Sequence, residues 1–183
     1  MINAFRIHSN LKRLLVRSEL RPNANINDSL ITNSVNRFTN RFTLCDNKRC
    51  LTCRFHAYNC DSFTSSTFTA NFRFNDSLTC KTTIIYLITC IKCNKQYVGE
   101  TGRCLSERLT DHRSCILTKK QTPIAIHFNE PGHSPLRDLK AITIDKIPDS
   151  IDSTKIRKER ELIWWQRLGT RYPRGLNGFP IIK

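Results

Sequence analysis

Hydrophobic and polar residues follow a regular pattern only in the second half of the chain. Residues 82–91 (TTIIYLITCI) are rich in β-branched and aromatic side chains, which predicts a buried strand. Residues 96–101 (QYVGET) predict a second strand, joined to the first by a tight connection. Residues 139–147 (LKAITIDKI) alternate between apolar and polar side chains and predict a third strand.

Helical spacing in the same half predicts three helices. Apolar residues recur at steps of three to four over residues 105–116. Thr122 followed by Pro123 is an N-cap before proline at the first helical position, and it begins a short helix. Ser153 begins a long helix that Gly169 ends. The order strand, strand, helix, short helix, strand, helix predicts an α/β fold with a small, mainly antiparallel three-stranded sheet flanked by helices.

The first 80 residues lack sustained periodicity. Residues 10–20 (NLKRLLVRSEL) predict a short basic helix, and a polar stretch follows it. We therefore predict a basic arm over residues 1–44, a cysteine-rich linker over residues 45–80 and a compact domain over residues 81–183. No apolar run is long enough for a membrane span, and residues 1–10 do not resemble a secretory signal, so we expect an intracellular protein.

The charge of the chain points to a polyanionic partner. Thirty Lys and Arg residues stand against 15 Asp and Glu residues, a formal net charge of +15. Basic side chains gain affinity for nucleic acid because each neutralised phosphate releases counterions. An anionic membrane surface is the alternative, but no basic amphipathic helix with a broad apolar face is present. We therefore expect DNA as the partner, with RNA as an alternative.

Nine cysteines, an odd number, occur without a secretory signal. Such cysteines bind metal or stay free in a reducing compartment rather than form disulfides. An all-thiolate zinc site is one interpretation of the upstream cysteines, with Cys60 or His56 as an alternative ligand, and free thiols are the other. The four candidate ligands of this site are Cys45, Cys50, Cys53 and Cys80.

Several polar residues of the compact domain occupy positions that suggest chemistry. Antiparallel pairing of the first two strands would bring two phenols together, and Arg108 and His112 share one helix face. Each residue also has an ordinary interpretation: a core tyrosine, a solvated Arg–His pair, or a glutamate paired with Arg157 or Arg160. The hypothesis therefore depends on the whole set, which is Tyr86, Tyr97, Arg108, His112, Glu161 and Asn177.

These residues also occur in a recognisable order. The segments Ile84-Ile-Tyr86, Tyr97-Val-Gly99, Arg108 with His112, Glu159-Arg-Glu161 and Asn177 resemble the ordered motifs of the GIY-YIG nuclease superfamily. One departure is Ile84, which stands where the family name has glycine.

A closer resemblance is to the endonuclease domain of Penelope-like retroelements and the region upstream of it. In that group a C-x-x-C pair lies between the tyrosine motifs, as Cys90 and Cys93 do here, and downstream histidines complete a proposed zinc site, matched by His127 and His133. The resemblance implies a structural zinc ion bound by these four residues. Free cysteines and surface histidines are the alternative.

The resemblance implies a DNA endonuclease that hydrolyses phosphodiester bonds with a divalent metal. Glu161 would hold Mg²⁺ or Mn²⁺, and Arg108 would hold the phosphate with its forked donors. Tyr86 would accept or relay a proton, Tyr97 and His112 would orient water or phosphate, and Asn177 would support the site.

The resemblance further implies a retroelement that nicks target DNA in the nucleus, with a reverse transcriptase module in cis or in trans. The alternatives are a zinc-stapled nucleic-acid-binding module without catalysis and a zinc-dependent protein-interaction domain.

Overall fold

The computed structural model describes residues 40–147 and 153–178, without the side chains of Thr83 and Ile84. The helix predicted over residues 10–20 and most of the basic arm lie outside the described residues. No described helix is both long and apolar enough to cross a membrane. The strands are β1 Phe42–Thr43, β2 Ser62–Thr64, β3 Asn71–Arg73, β4 Leu78–Thr79, β5 Thr83–Cys90, β6 Gln96–Cys104 and β7 Leu139–Lys146. The α-helices are α1 Leu105–Leu117, α2 Pro123–Phe128 and α3 Ser153–Leu168.

The central sheet has three antiparallel strands, as predicted, and their order is β6-β5-β7. Strand β5 lies in the middle, which explains its nearly continuous apolar sequence: both faces are covered. Ile85, Tyr86, Leu87 and Ile88 are all buried. Tyr86 lies opposite Gly99 on β6.

The three predicted helices flank this sheet. Helix α1 buries His112 together with its apolar residues. Thr122 caps α2, because its side chain accepts a hydrogen bond from the Ala125 amide at 3.3 Å. Gly169 adopts a φ of +64° directly after α3, the left-handed conformation that ends many helices. The α/β fold class with its antiparallel sheet is confirmed.

The cysteine-rich segment forms short strands and a π-helical turn, Thr52–His56. Strand β1 pairs with β4, and β2 pairs with β3 as a hairpin. The segment packs on the rest of the fold: the Phe63 ring centroid is 5.6 Å from that of Trp164 on α3. Thr143 of β7 donates a hydrogen bond to the Thr79 carbonyl at 3.1 Å. The described residues share one compact unit, and the predicted functional boundary at residue 80 stays a prediction.

Candidate active site

Two side chains meet at the hydroxyl of Tyr86. The His112 Nε2 atom lies 2.8 Å from the Tyr86 oxygen, and the Arg108 Nε–H donates a hydrogen bond to it at 3.2 Å. Arg108 and His112 are one turn apart on α1, so a single helix face presents both to β5. A Cβ atom at Gly99 would lie 2.3 Å from the Tyr86 oxygen, so only glycine fits opposite the phenol. Sequence reasoning had not assigned this close approach.

Tyr97 lies beside this cluster. It precedes Gly99 by two residues and therefore shares its face of β6. Its ring centroid is 6.4 Å from that of Tyr86 and 6.0 Å from that of His112. The antiparallel pairing of β5 and β6 thus brings the two phenols together, as the sequence predicted.

Burial favours the neutral forms of Tyr86 and His112, so Arg108 is the charged member of this cluster. Burial, and then the neighbouring Tyr97, raise the pKa of Tyr86 well above its usual range, although Arg108 opposes the shift. Burial, followed by the charge of Arg108, lowers the pKa of His112 to about 3. A neutral imidazole can accept the Tyr86 O–H at Nε2 while the phenol oxygen accepts from Arg108. The hydrogen bonds therefore run from Arg108 to Tyr86 to His112.

Glu161 lies on α3 and shares the electrostatic environment of the cluster. Burial and the charge of Glu100 raise its pKa to about 7, while the Trp165 side chain, Arg108 and Lys158 oppose the shift. The Glu161 charge in turn raises the pKa of both Tyr86 and Tyr97. Glu161 therefore interacts electrostatically with Arg108 and with the two phenols.

The pairing of Glu161 with neighbouring arginines, the ordinary interpretation of its position, is wrong. The Arg157 Nε–H donates to Glu100 at 2.8 Å, and the Arg160 Nε atom lies 3.3 Å from Asp145. The ion pairs among the described residues do not include Glu161. The Glu100–Arg157 pair, which sequence reasoning missed, leaves the Glu161 carboxylate available to a cation.

Asn177 supports the strand that carries Tyr97. Its buried amide accepts a hydrogen bond from the Val98 N–H at 2.8 Å and donates one to the Val98 carbonyl at 2.7 Å. Val98 lies between Tyr97 and Gly99, so the amide fixes the backbone on which both depend. The catalytic roles of all six residues stay predictions.

Four thiols of the upstream segment form a compact group. Their sulfur atoms all lie within 4.8 Å of one another. The Sγ–Sγ distances are 3.5 Å for Cys45 and Cys53, 3.4 Å for Cys53 and Cys80, and 3.7 Å for Cys50 and Cys80. A tetrahedral zinc ion with Zn–S bonds of about 2.3 Å spaces its sulfur atoms roughly 3.8 Å apart, so the group fits zinc.

The alternative ligands of that site lie outside the group. His56 is buried, and its Nδ1 atom lies 3.2 Å from the Leu139 carbonyl oxygen. Cys60 is not among the four clustered thiols. The all-thiolate set is therefore the better candidate.

A second candidate metal centre joins the β5–β6 turn to the segment around α2. The ligand atoms of Cys90, Cys93, His127 and His133 also lie within 4.8 Å of one another. The Cys93 sulfur is 3.5 Å from His127 Nε2, and the two imidazole centroids are 4.5 Å apart. Both ring nitrogens of His133 are buried without a hydrogen-bond partner among the described residues. Buried orphan nitrogens beside two thiols fit a bound metal ion.

Two comparisons with known proteins found no match: neither a family model nor a curated protein matches the chain. Among solved structures, the chain is similar to the catalytic domain of the homing endonuclease I-TevI. The identity is 22%, the TM-score is 0.43, and the match covers 53% of this chain and 98% of that one. A glutamate-to-alanine mutant of that catalytic domain matches with 21% identity and a TM-score of 0.42, over 54% of this chain and 94% of the other. These likenesses are partial, and the case for function rests on the site residues.

Proposed function

We propose that this chain is a divalent-metal-dependent DNA endonuclease of the GIY-YIG type. The observation that carries the proposal is the position of the Tyr86 hydroxyl between the Arg108 guanidinium and the His112 imidazole. Tyr97 and Glu161 both raise the pKa of this hydroxyl. A chain from a half-buried guanidinium through a buried phenol to a buried imidazole, beside a carboxylate without an ion pair, suits phosphodiester hydrolysis better than it suits a structural core. The net charge of +15 supports a DNA substrate.

Arg108 binds the scissile phosphate in this proposal. Its Nε–H is used by Tyr86, and its Nη1 atom lies 3.8 Å from Asp111, while about a third of the side chain is exposed. Guanidinium N–H groups not directed at Tyr86 are available to non-bridging oxygens of a phosphate. Lysine has no equivalent fork, so it cannot hold Tyr86 and phosphate together.

The proton of the attacking water passes along the tyrosines. Direct removal by Tyr86 requires a phenolate, and burial raises the pKa of Tyr86 well away from that state. We therefore infer a relay: water donates to Tyr97, Tyr97 to Tyr86, and Tyr86 to His112 Nε2. Each phenol gains one proton as it loses one, and His112 ends protonated. A phosphate bound at Arg108 offsets the arginine charge, one of the causes of the low His112 pKa.

Glu161 is the residue that would hold the divalent cation. Its half-buried carboxylate has no ion pair among the described residues, and the charge of Glu100 adds to the negative potential there. A carboxylate in such a potential suits a hard cation such as Mg²⁺ or Mn²⁺. When bound, the ion supplies Lewis-acid stabilisation of the developing negative charge.

Zinc is a structural cofactor in this proposal. The four-thiol group would fasten the upstream segment to the end of β4, and the Cys₂His₂ group would fasten the β5–β6 turn to the region of α2. Because β5 and β6 carry Tyr86 and Tyr97, the second ion would stabilise the hairpin that bears both phenols.

The proposal also includes a biological role for the nuclease. The upstream cysteines and the motif order support a nicking activity that serves a retroelement in the nucleus, together with a reverse transcriptase module. Nicking of one strand is expected from a single metal-binding carboxylate with a single phosphate-binding arginine.

A plasmid-nicking assay tests the proposal. Supercoiled DNA is incubated with zinc-loaded protein and Mg²⁺ or Mn²⁺, using wild type, Glu161→Gln and Glu159→Gln. Glu159 is exposed on the same helix, so its variant is the matched control. We expect nicking by wild type and by Glu159→Gln, and none by Glu161→Gln, with DNA affinity retained in all three. Folded wild type that binds DNA but leaves the plasmid intact would instead identify a non-catalytic nucleic-acid-binding module.

A further inference from the structure

A cleft of about 270 Å³ opens beside α3, and none of the roles described above uses it. Three aromatic side chains from separate parts of the chain line it: Phe68 after β2, Trp165 on α3 and Tyr172 in the segment that follows α3. Phe68 is 49% exposed although it is large and apolar. Converging, accessible aromatic rings offer flat surfaces to a planar ligand.

Trp165, which lines the cleft, is also a neighbour of Glu161. Trp165 follows Glu161 by four residues, so the two side chains lie on the same face of α3, one turn apart. The Trp165 side chain lowers the pKa of Glu161 against the effect of burial. Its buried indole nitrogen nevertheless has no hydrogen-bond partner of ordinary length among the described residues. Trp165 therefore forms a wall shared by the carboxylate site and the cleft.

Phe68 is held in place before any ligand arrives. The Phe68 N–H donates to the Ser65 hydroxyl at 2.9 Å, and that hydroxyl donates to the Leu168 carbonyl at 2.7 Å. A Cβ atom at Gly169 would lie 2.7 Å from the Phe68 ring, so glycine at this position lets the ring approach the end of α3. Because Phe68 is already fixed in this way, it loses little conformational entropy when a ligand binds.

The charged residues that line the cleft indicate the chemical class of its ligand. Arg171 and Arg174 line the cleft and are exposed, and the ion pairs among the described residues include neither of them. Gln166, also at the cleft, offers an amide that can hydrogen-bond the edge of a base. Aromatic faces with flanking guanidinium groups form the usual combination for a base and its backbone phosphates.

We propose that this cleft binds an unstacked base of the DNA strand beside the scissile phosphate. Phe68 provides the stacking face, and Arg171 and Arg174 contact the flanking phosphates. This inference rests on the proposed function and extends it to substrate class. DNA with an unpaired base, a bulge or a single-stranded junction offers that base without the cost of unstacking a duplex, so it is preferred over uniform duplex.

Measuring base stacking with the 183-residue chain tests this directly. Oligonucleotides that carry 2-aminopurine at each position in turn, either single-stranded or as a one-base bulge, are titrated without divalent metal. Stacking quenches the probe, so we expect a position-specific loss of fluorescence with wild type and with Glu161→Gln. Phe68→Ala should weaken binding about 5- to 150-fold and abolish the quenching. Phe55→Ala, at a phenylalanine that is 51% exposed and outside the cleft, should match wild type.

A further variant, together with the nicking assay, distinguishes failure of the base-site proposal from failure of the nuclease proposal. Phe68→Leu retains an apolar contact with Gly169 but has no aromatic face, so it serves if Phe68→Ala unfolds, and it should lose the quenching as well. If folded Phe68 variants bind and quench like wild type, the cleft is not a base site, whatever the nicking assay shows. If quenching depends on Phe68 but wild type never cuts DNA, the base site stands and the nuclease proposal fails.

Discussion

The Nε2 atom of His112 lies 2.8 Å from the Tyr86 hydroxyl, and both side chains are buried. Buried ring nitrogens are normally hydrogen-bonded, so the informative feature is the identity of the partner. Here the imidazole accepts from a phenol that also accepts from Arg108. The chain of hydrogen bonds therefore connects Arg108, the proposed phosphate-binding residue, to His112, the proposed proton acceptor, through one tyrosine.

Replacing Tyr86 with phenylalanine should break this chain without removing the ring from the core. We expect nicking to fall by about two to three orders of magnitude, because the relay loses its central hydroxyl. DNA affinity should change little. The measurement is single-turnover nicking with saturating protein, and Tyr58→Phe, at an exposed tyrosine outside the cluster, is the control. Wild-type rates in Tyr86→Phe would remove the relay from the mechanism.

His112 should also make stability depend on pH. Burial, and then Arg108, lower its folded pKa to about 3, from about 6.5 in the unfolded chain. Between these values the unfolded chain binds a proton that the folded chain does not. Stability is therefore fully present above pH 6.5 and declines as the pH falls towards 3.

The variant His112→Gln tests that dependence. Between pH 7 and pH 4.5 the wild type should lose about 2–3 kcal/mol more free energy of unfolding than the variant loses. Chemical denaturation at both pH values measures the difference. Other groups, including His56 and the metal ligands, contribute to both proteins and cancel. Equal losses in the two proteins would contradict the assignment of a neutral, buried His112.

Gly99 should be more sensitive to substitution than Gly102 on the same strand. An alanine Cβ at Gly99 would lie 2.3 Å from the Tyr86 oxygen and 2.4 Å from its ring, whereas at Gly102 it meets the end of the flexible Arg157 side chain at 3.2 Å. We expect Gly99→Ala to cost about 1–3 kcal/mol of unfolding free energy and to impair nicking. Gly102→Ala should cost less than about 1 kcal/mol. Similar unfolding midpoints for the two variants would argue against a tight Tyr86 environment.

Local patterns predicted the central fold because its elements are defined by neighbouring residues. The apolar run of β5, the steps of three to four in α1 and the Thr122–Pro123 cap each identify an element without reference to the rest of the chain. The motif residues Tyr86, Tyr97, Arg108 and His112 do lie together, and their catalytic roles stay predictions.

The contacts that the sequence did not reveal join distant segments. Phe63 packs on Trp164, and Arg157 pairs with Glu100, although each pair is separated by more than 50 residues. Nothing in the periodicity of the Thr- and Ser-rich segment after residue 60 predicts that its hairpin lies against α3. The aromatic cleft was missed for the same reason, since Phe68, Trp165 and Tyr172 belong to three separate segments.

The two cysteine groups should bind separate zinc ions. The thiols of Cys45, Cys50, Cys53 and Cys80 form one set, and Cys90, Cys93, His127 and His133 form the other. Metal analysis of the purified protein should therefore give two zinc ions per chain. Cys53→Ser and Cys93→Ser should each lose one ion and lower the melting temperature, because a structural zinc ion contributes directly to folding.

A cysteine outside both groups provides the control for that experiment. Cys115→Ser should keep both ions and melt like wild type, since its thiol belongs to neither set. Chelation should unfold wild type in two steps if the ions act independently, with one step missing in each ligand variant. Loss of nicking in Cys93→Ser but not in Cys115→Ser would connect the second ion to the tyrosine hairpin. Absence of zinc from wild type, or full zinc content in both Cys53→Ser and Cys93→Ser, would contradict these ligand sets, and the alignment of β5 and β6 would then depend on packing alone.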